Sequence, residues 1–197
     1  MQLLLKLAGW IDTLNERIGH LAKWLVLICA LISASNAVVR KAFDMSSNAF
    51  LEIQWYLFSA IFLLGAGYTL KHNEHIRIDL ILGRLSPRKQ AIIDIIGGLC
   101  FLLPMAVVIL YFSWPIVGQM FASGEQSPDA GGLIRWPVWA LIPIGFGLLI
   151  LQVLAEVIKR IAFLKGLIPN PAEKQDSQIE EAIGQNLDPL LKKGDQP

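Results

Sequence analysis

Four long apolar runs dictate what this chain can become: about Trp24 to Val39, Phe50 to Leu70, about Ala91 to Val117, and Trp136 to Ile158. Crossing a bilayer's hydrocarbon core takes about 20 apolar residues in a helix. The runs are too long for strands and show no alternation with period two. In lipid a helix satisfies its own backbone hydrogen bonds, so four transmembrane helices are the reading. Composition agrees: 17% of the 197 residues are charged and 54% are hydrophobic, against about 25% charged in a soluble domain. The net charge of +1 gives no basic surface for nucleic acid. The expected fold is therefore an all-α integral membrane protein.

Tryptophans stand near several run ends (Trp24, Trp55, Trp114, Trp136, Trp139), where amphipathic rings meet headgroups. The third run exceeds the length needed and should tilt or bend, with Pro104 as the bend point; Pro143 is expected to do the same in the fourth. The spans are placed at about 21–40, 50–70, 89–117 and 136–160. Of the Lys and Arg residues, 14 lie before the first span, between the second and third, or after the fourth, against 3 in the other two connections. The positive-inside rule then puts both termini in the cytoplasm.

Outside the spans, Leu3, Leu7, Ile11, Leu14, Ile18 and Leu21 recur every three or four residues, with Asp12, Asn15, Glu16 and Arg17 between them. This predicts an amphipathic helix over residues 1–20, lying in the interface before the chain turns into the membrane; a solvated helix packed on a partner fits the same pattern. Between spans two and three, Ile78, Ile81, Leu82 and Leu85 share a face and predict a short cytoplasmic surface helix. Ser86-Pro87 is a helix-start pair for span three. Residues 166–197 are polar and read as a flexible cytoplasmic tail. Residues 21–165 thus make one four-span domain, with no internal repeat.

The chemistry-bearing residues are few. No Asp, Glu, Lys, Arg or His falls in the middle of a span, where such groups mark ion or proton paths. Glu52, Asp94 and Glu156 lie near span ends and can reach an interface. Asp94 reads either as a coupling carboxylate or as a helix-start acid beside Arg88 and Lys89. His20, His72 and His75 do not sit at the membrane depth that axial haem ligands require. His72 and His75 are three apart but lack the further ligands of a metal site. Cys29 and Cys100 lie in apolar runs without metal spacing and read as small buried hydrophobes. There is no phosphate loop, nucleophile elbow or His-Glu-x-x-His. Neither bond chemistry nor a bound cofactor is expected. Such a chain should serve as a fixed element packed on a larger partner.

One stretch narrows this. Glu52, Trp55, Leu57-Phe58, the Leu64-Gly65-Ala66-Gly67-Tyr68-Thr69-Leu70 span end, and His75-Ile76-Arg77-Ile78-Asp79 resemble the small membrane subunit, DctQ-like, of tripartite ATP-independent periplasmic (TRAP) transporters. That family typically reads His-Val-Arg-Val-Asp where this chain has isoleucines. Asp129 to Pro137 also resembles family members, and the likeness extends in span number and topology over roughly residues 20–165.

The resemblance implies a non-catalytic scaffold subunit in a bacterial inner membrane. Its partners would be membrane lipids, a large elevator-type subunit carrying the Na⁺ and substrate sites, and a periplasmic binding protein that delivers an organic acid. Glu52, Trp55, His75, Arg77, Asp79 and Arg84 are then candidates for contact with the partner or the membrane surface. Glu125, Asp129 and Arg135, in the longest outer connection, are candidates for contact with the binding protein. An assembly or regulatory membrane protein without a transport role is the alternative, and a quinone- or haem-binding anchor a further one.

Overall fold

The computed structural model describes residues 1–43, 47–72 and 85–171. Four helices account for nearly all of them: α1, Gln2–Phe43; α2, Asn48–Lys71; α3, Pro87–Ser123; and α4, Trp136–Leu164. All four are long and apolar enough to cross a membrane, and no strand occurs among the described residues. At 1.5 Å per residue their lengths are about 63, 36, 55 and 43 Å, against a hydrocarbon core of about 30 Å. The surface helix expected between spans two and three, and with it His75, Arg77, Asp79 and Arg84, lies outside the described residues, as does the tail beyond residue 171.

The helices run up and down between two ends. One end, where α1 begins and α4 finishes, holds most of the Lys and Arg and is here called the basic end. The other is closed by the connection from α3 to α4. α4 is the hub: α1, α2 and α3 all pack on it, α1 also packs on α2, and α3 relies on α4. Accordingly, 44% of the most apolar window of α4 is buried, against 6% in each of the other three helices.

Close crossings depend on small residues, as expected where no hydrophobic force separates a lipid-facing side chain from a buried one. Ala8, Ala60, Ala106, Ala155 and Ala162 are buried, whereas Trp24, Trp55, Phe62, Phe101 and Tyr111 stand out from the bundle. A Cβ on Gly145 would meet the Leu63 carbonyl oxygen at 2.7 Å, so the α2 and α4 backbones approach as nearly as glycine permits.

Two expectations about helix ends and bends are answered here. α1 does not divide into a surface helix and a span: it is unbroken from Gln2 to Phe43, and no proline interrupts it. Its outward face carries Leu3, Leu7, Trp10 and Leu21, while Ala8, Asn15, Gly19 and Ala22 are buried. The polar stripe of the first turns therefore faces the bundle, because its partners lie on α2 and α4. In α3 the ladder widens into a π-turn over Gly98–Leu102, in which the Leu103 N–H reaches the Gly98 carbonyl. This turn immediately precedes Pro104, whose ring lacks an N–H and crowds the carbonyl four residues back. α4 continues through Pro143 without interruption.

At the helix ends, Pro87 takes the first position of α3 as read. The Ser86 side chain makes no cap; its carbonyl instead accepts the Lys89 and Gln90 N–H groups at 2.9 and 3.1 Å. α4 closes with Gly166 in the left-handed region at φ 71°. The Gly166 and Leu167 N–H groups return to Phe163 and Ala162 at 2.8 and 3.0 Å, the paired bonds of a Schellman motif.

Candidate functional site

Polar side chains gather at both ends of the bundle, and each cluster ties different helices together.

The connection from α3 to α4 is a folded hairpin rather than a loose glycine-rich loop. Gly124 ends α3 at φ 62°, and Gly131 turns the tip at φ 74°. Both angles suit glycine because a Cβ there is strained. Ser127 N–H donates to Leu133 O at 3.0 Å and Arg135 N–H to Glu125 O at 3.1 Å. Gln126 pairs with Ile134 as an antiparallel bridge. Across the hairpin base the Arg135 guanidinium donates to the Glu125 carboxylate at 2.6 Å, both side chains being exposed. Asp129 contributes through its backbone: its N–H reaches Ser127 Oγ at 3.4 Å and its carbonyl accepts from Gly132 N–H at 2.9 Å.

α2 holds this hairpin with three polar residues spaced four apart, which puts them on one helix face. Asn48 Nδ2 donates to Ala130 O at 3.1 Å, Glu52 Oε2 accepts the Leu133 N–H at 2.7 Å, and Tyr56 OH donates to Ile134 O at 3.1 Å. Glu52, Glu125, Asp129 and Arg135, named from sequence in two separate groups, thus meet in one structure. Trp55, three residues on from Glu52, lines the same cavity and is 77% exposed, as a ring at a lipid interface should be. Asn48 and Tyr56 escaped the sequence reading. Their spacing from Glu52 was the available signal, but nothing local reveals which distant backbone they meet.

The basic end holds a larger network. Gln152 of α4 is fully buried: its Oε1 accepts from Asn15 Nδ2 at 2.9 Å, and its Nε2 donates to Asp12 at 2.8 Å and Glu156 at 3.1 Å. Lys159 bridges Asp12, at 3.0 Å to either oxygen, and Glu156 at 2.6 Å. Glu16 draws in Lys71 at 2.6 Å and His72 at 2.9 Å from the end of α2, with His20 at 3.4 Å. Lys23 donates to the Tyr68 hydroxyl at 3.1 Å. Gly19 and Gly67 make room for this: a Cβ on Gly19 would collide with the Tyr68 ring, and one on Gly67 with Asn15 Oδ1. That Oδ1 is the one buried side-chain oxygen or nitrogen without a partner among the described residues.

Two sequence readings change here. Asp94, read as a helix-start acid beside Arg88 and Lys89, gains Arg160 of α4 as an ion-pair partner at 3.2 Å, because α3 packs on α4. The bundle is also less dry than span centres free of charge suggested. Asp12, Glu16 and Glu156 turn inward and find cations, because α1 is long enough to carry its polar turns alongside α2 and α4. The signal was present in Asp12-Asn15-Glu16-Gly19, a polar and small stripe at helical spacing. Periodicity cannot say whether such a stripe faces water or protein.

Chemically these clusters brace helices. The carboxylates of Asp12, Glu16, Glu52, Asp94, Glu125 and Glu156 are engaged by cations or N–H groups of the same chain, which offsets the desolvation cost of leaving a buried charge unpaired. Among the described residues no three His, Cys, Asp or Glu side chains gather to hold a metal. His72, a metal candidate by spacing, faces Glu16 and the Tyr68 ring. Cys29 and Cys100 are unbridged.

Comparison with known proteins gives this architecture a family. The chain is 28% identical over 154 residues to the ectoine TRAP transporter small permease protein TeaB of Halomonas elongata, covering 78% of this chain and 79% of that one. It is 26% identical over 134 residues to the C4-dicarboxylate TRAP transporter small permease protein DctQ of Pseudomonas aeruginosa, covering 66% and 61%. A match of 29% over 106 residues to the isethionate TRAP transporter permease protein DctMQ of Oleidesulfovibrio alaskensis covers 54% of this chain and 16% of that protein. No solved structure matches. Residues 28–163, which take in the hairpin, Gln152, the later part of α1 and nearly all of the other three helices, match the DctQ component of tripartite ATP-independent periplasmic transporters, and the chain belongs to that family.

Proposed function

We propose that this chain is the non-catalytic scaffold subunit of a Na⁺-coupled TRAP transporter that imports an organic acid. It would pair with a large elevator-type membrane subunit and work with a periplasmic substrate-binding protein. The observation that carries this reading, beyond family membership, is that the inward-facing charges are engaged within the chain. An ion or solute path needs polar groups that can exchange partners with the cargo. Here Asp12, Glu16, Glu156 and Asp94 hold Lys159, Lys71 and Arg160, which suits a rigid element. The relatives' names span ectoine, C4-dicarboxylate and isethionate, solutes that share an acidic group and little else. That variety on similar small subunits supports substrate selection elsewhere in the complex.

The charge bias of the connections supports an inner-membrane orientation with both termini cytoplasmic, so that the 124–135 hairpin faces the periplasm and the binding protein. Arg77 and Asp79 would contact the large subunit or lipid headgroups at the cytoplasmic surface. Asp79→Ala is expected to lower copurification of the large subunit without preventing membrane insertion, which the four apolar helices decide.

The test is reconstitution. In liposomes the purified chain alone should give no Na⁺-dependent uptake, and adding the large subunit and binding protein should restore it. Uptake by the chain alone would end the scaffold reading.

A further inference from the structure

Below the hairpin, α2 and α4 run side by side with a cleft between them. The section nearest the hairpin, of about 510 Å³, is lined by Glu52, Trp55 and Tyr56 of α2, by Asp129 and Arg135 of the hairpin, and by Trp139 of α4. The next section, of about 470 Å³, is lined by Phe58, Phe62 and Leu63 of α2 with Ile142 and Phe146 of α4. Ser59, Val138 and Trp139 line both, so the two sections are continuous. Every lining residue is half-buried or exposed, and the cleft is therefore open to the surroundings of the bundle. The rise from Glu52 to Leu63 on α2, and from Arg135 to Phe146 on α4, is about 16 Å at 1.5 Å per residue. That is half of a hydrocarbon core of about 30 Å. The cleft is one leaflet deep, charged at its mouth and apolar below.

We propose that this cleft binds one phospholipid with an ethanolamine headgroup, drawn from the leaflet on the hairpin side. Depth selects a lipid: a spanning helix needs about 30 Å, whereas an acyl chain reaches only the bilayer centre. Charge selects the headgroup. The Arg135 guanidinium presents N–H groups in a fork that matches a phosphate, and its 2.6 Å bond to Glu125 uses Nη1, which leaves other N–H groups for an anion. Asp129 braces the hairpin through its backbone, and Glu52 accepts the Leu133 N–H with Oε2. A carboxylate accepts several hydrogen bonds, so both can also receive an ammonium. The mouth thus sets one cation and two carboxylates against a headgroup that carries a phosphate and a primary ammonium. A glycerol headgroup brings the phosphate without the cation, and choline brings a cation without N–H donors. Trp55 and Trp139 stand at the mouth, the level at which amphipathic rings meet headgroups.

The experiment places photoreactive benzoylphenylalanine at Phe62 or Phe146 in the cleft, or at Leu31 on the exposed side of α1. The full chain is reconstituted into vesicles of equimolar phosphatidylethanolamine, phosphatidylcholine and phosphatidylglycerol, and mass spectrometry identifies the lipid in each adduct. Leu31 samples bulk lipid and should give the three in vesicle proportion. Phe62 and Phe146 should be enriched in phosphatidylethanolamine about fivefold, the worth of one ion pair at an exposed site. Asp129→Asn removes a carboxylate charge while keeping the backbone bonds of the hairpin, and should bring that enrichment below about twofold. Ser59→Trp, which fills the junction of the two sections, should return the cleft adducts to vesicle proportion; if it does not fold, Asp129→Asn decides alone. Vesicle proportions or absent lipid adducts at Phe62 and Phe146 in the wild-type background overturn the proposal, as does enrichment that survives either variant. Adducts of twice this chain's mass would assign the cleft to a second copy. In membranes holding the assembled transporter, an adduct with the mass of another subunit would assign it to that protein. Either result also overturns the proposal.

Discussion

Gly145→Ala tests the crossing of α2 and α4 most directly. The added methyl would stand 2.7 Å from the Leu63 carbonyl oxygen and 2.9 Å from its carbon and Cβ, roughly 0.7 Å inside ordinary contact for the oxygen. Two of those three atoms are backbone, so no rotamer change relieves the overlap and the helices must separate. Overpacking of this kind costs about 1–3 kcal/mol, while replacing a mid-helix glycine by alanine returns up to about 1 kcal/mol through helix propensity. The net expectation is a loss of about 1–2 kcal/mol, toward the upper part of the range because the obstruction is rigid. At about 2–4 °C per kcal/mol for a chain of this size, the unfolding midpoint in detergent should fall by a few degrees.

Gly147→Ala supplies the control from the same helix. Nothing lies within 4 Å of its Cβ position, so only the propensity gain applies and the midpoint should hold or rise slightly. Thermal unfolding followed by tryptophan fluorescence reads both variants, at matched detergent and protein concentrations. Equal midpoints for Gly145→Ala, Gly147→Ala and wild type would refute the close α2–α4 crossing and the central place given to α4.

Gln152→Leu leaves Asn15 Nδ2 with only the 3.4 Å bond to Ile11 O and deprives Asp12 and Glu156 of a donor; it should cost about 1–3 kcal/mol, and Asn15→Ala in the same chain should recover part of that in a double-mutant cycle. Glu52→Ala removes the acceptor of the Leu133 N–H, so hydrogen exchange at Leu133 should accelerate while the amides in the middle of α4 keep their protection; unchanged exchange at Leu133 would show that the hairpin holds itself. Cysteines placed at Ser127 and Ser177, with Cys29 and Cys100 replaced, should label from opposite sides of the membrane with an impermeant maleimide, Ser127 from the periplasm, and labelling from one side would contradict the four-span topology.

What could be read from residues alone was set by solvent. Four apolar runs exceeding the thickness of a bilayer must become helices, because lipid offers the backbone no other partner, and α2, α3 and α4 contain the read spans nearly to their ends. Pro87 as a helix start follows from the covalent limits of proline, as does the choice of Pro104 as a point of irregularity, whereas the π-turn over Gly98–Leu102 is visible only in the structure. The His75 to Asp79 motif, together with the spans, was enough to suggest the family. Tertiary structure alone decided which way each polar stripe faces. The period of Asp12, Asn15 and Glu16 is the same whether they meet water or Gln152, Lys159 and Lys71, so α1 was divided into two parts that the structure joins in one helix. In lipid the usual rule also loses its direction: large apolar residues such as Phe62 and Trp55 gain nothing by hiding, and small or polar ones such as Gly145, Ala155 and Gln152 take the interior. Contacts such as Glu52 with Leu133 and Asp94 with Arg160 join residues more than 60 positions apart. Only the packing of α2 and α3 around α4 brings them within bonding distance.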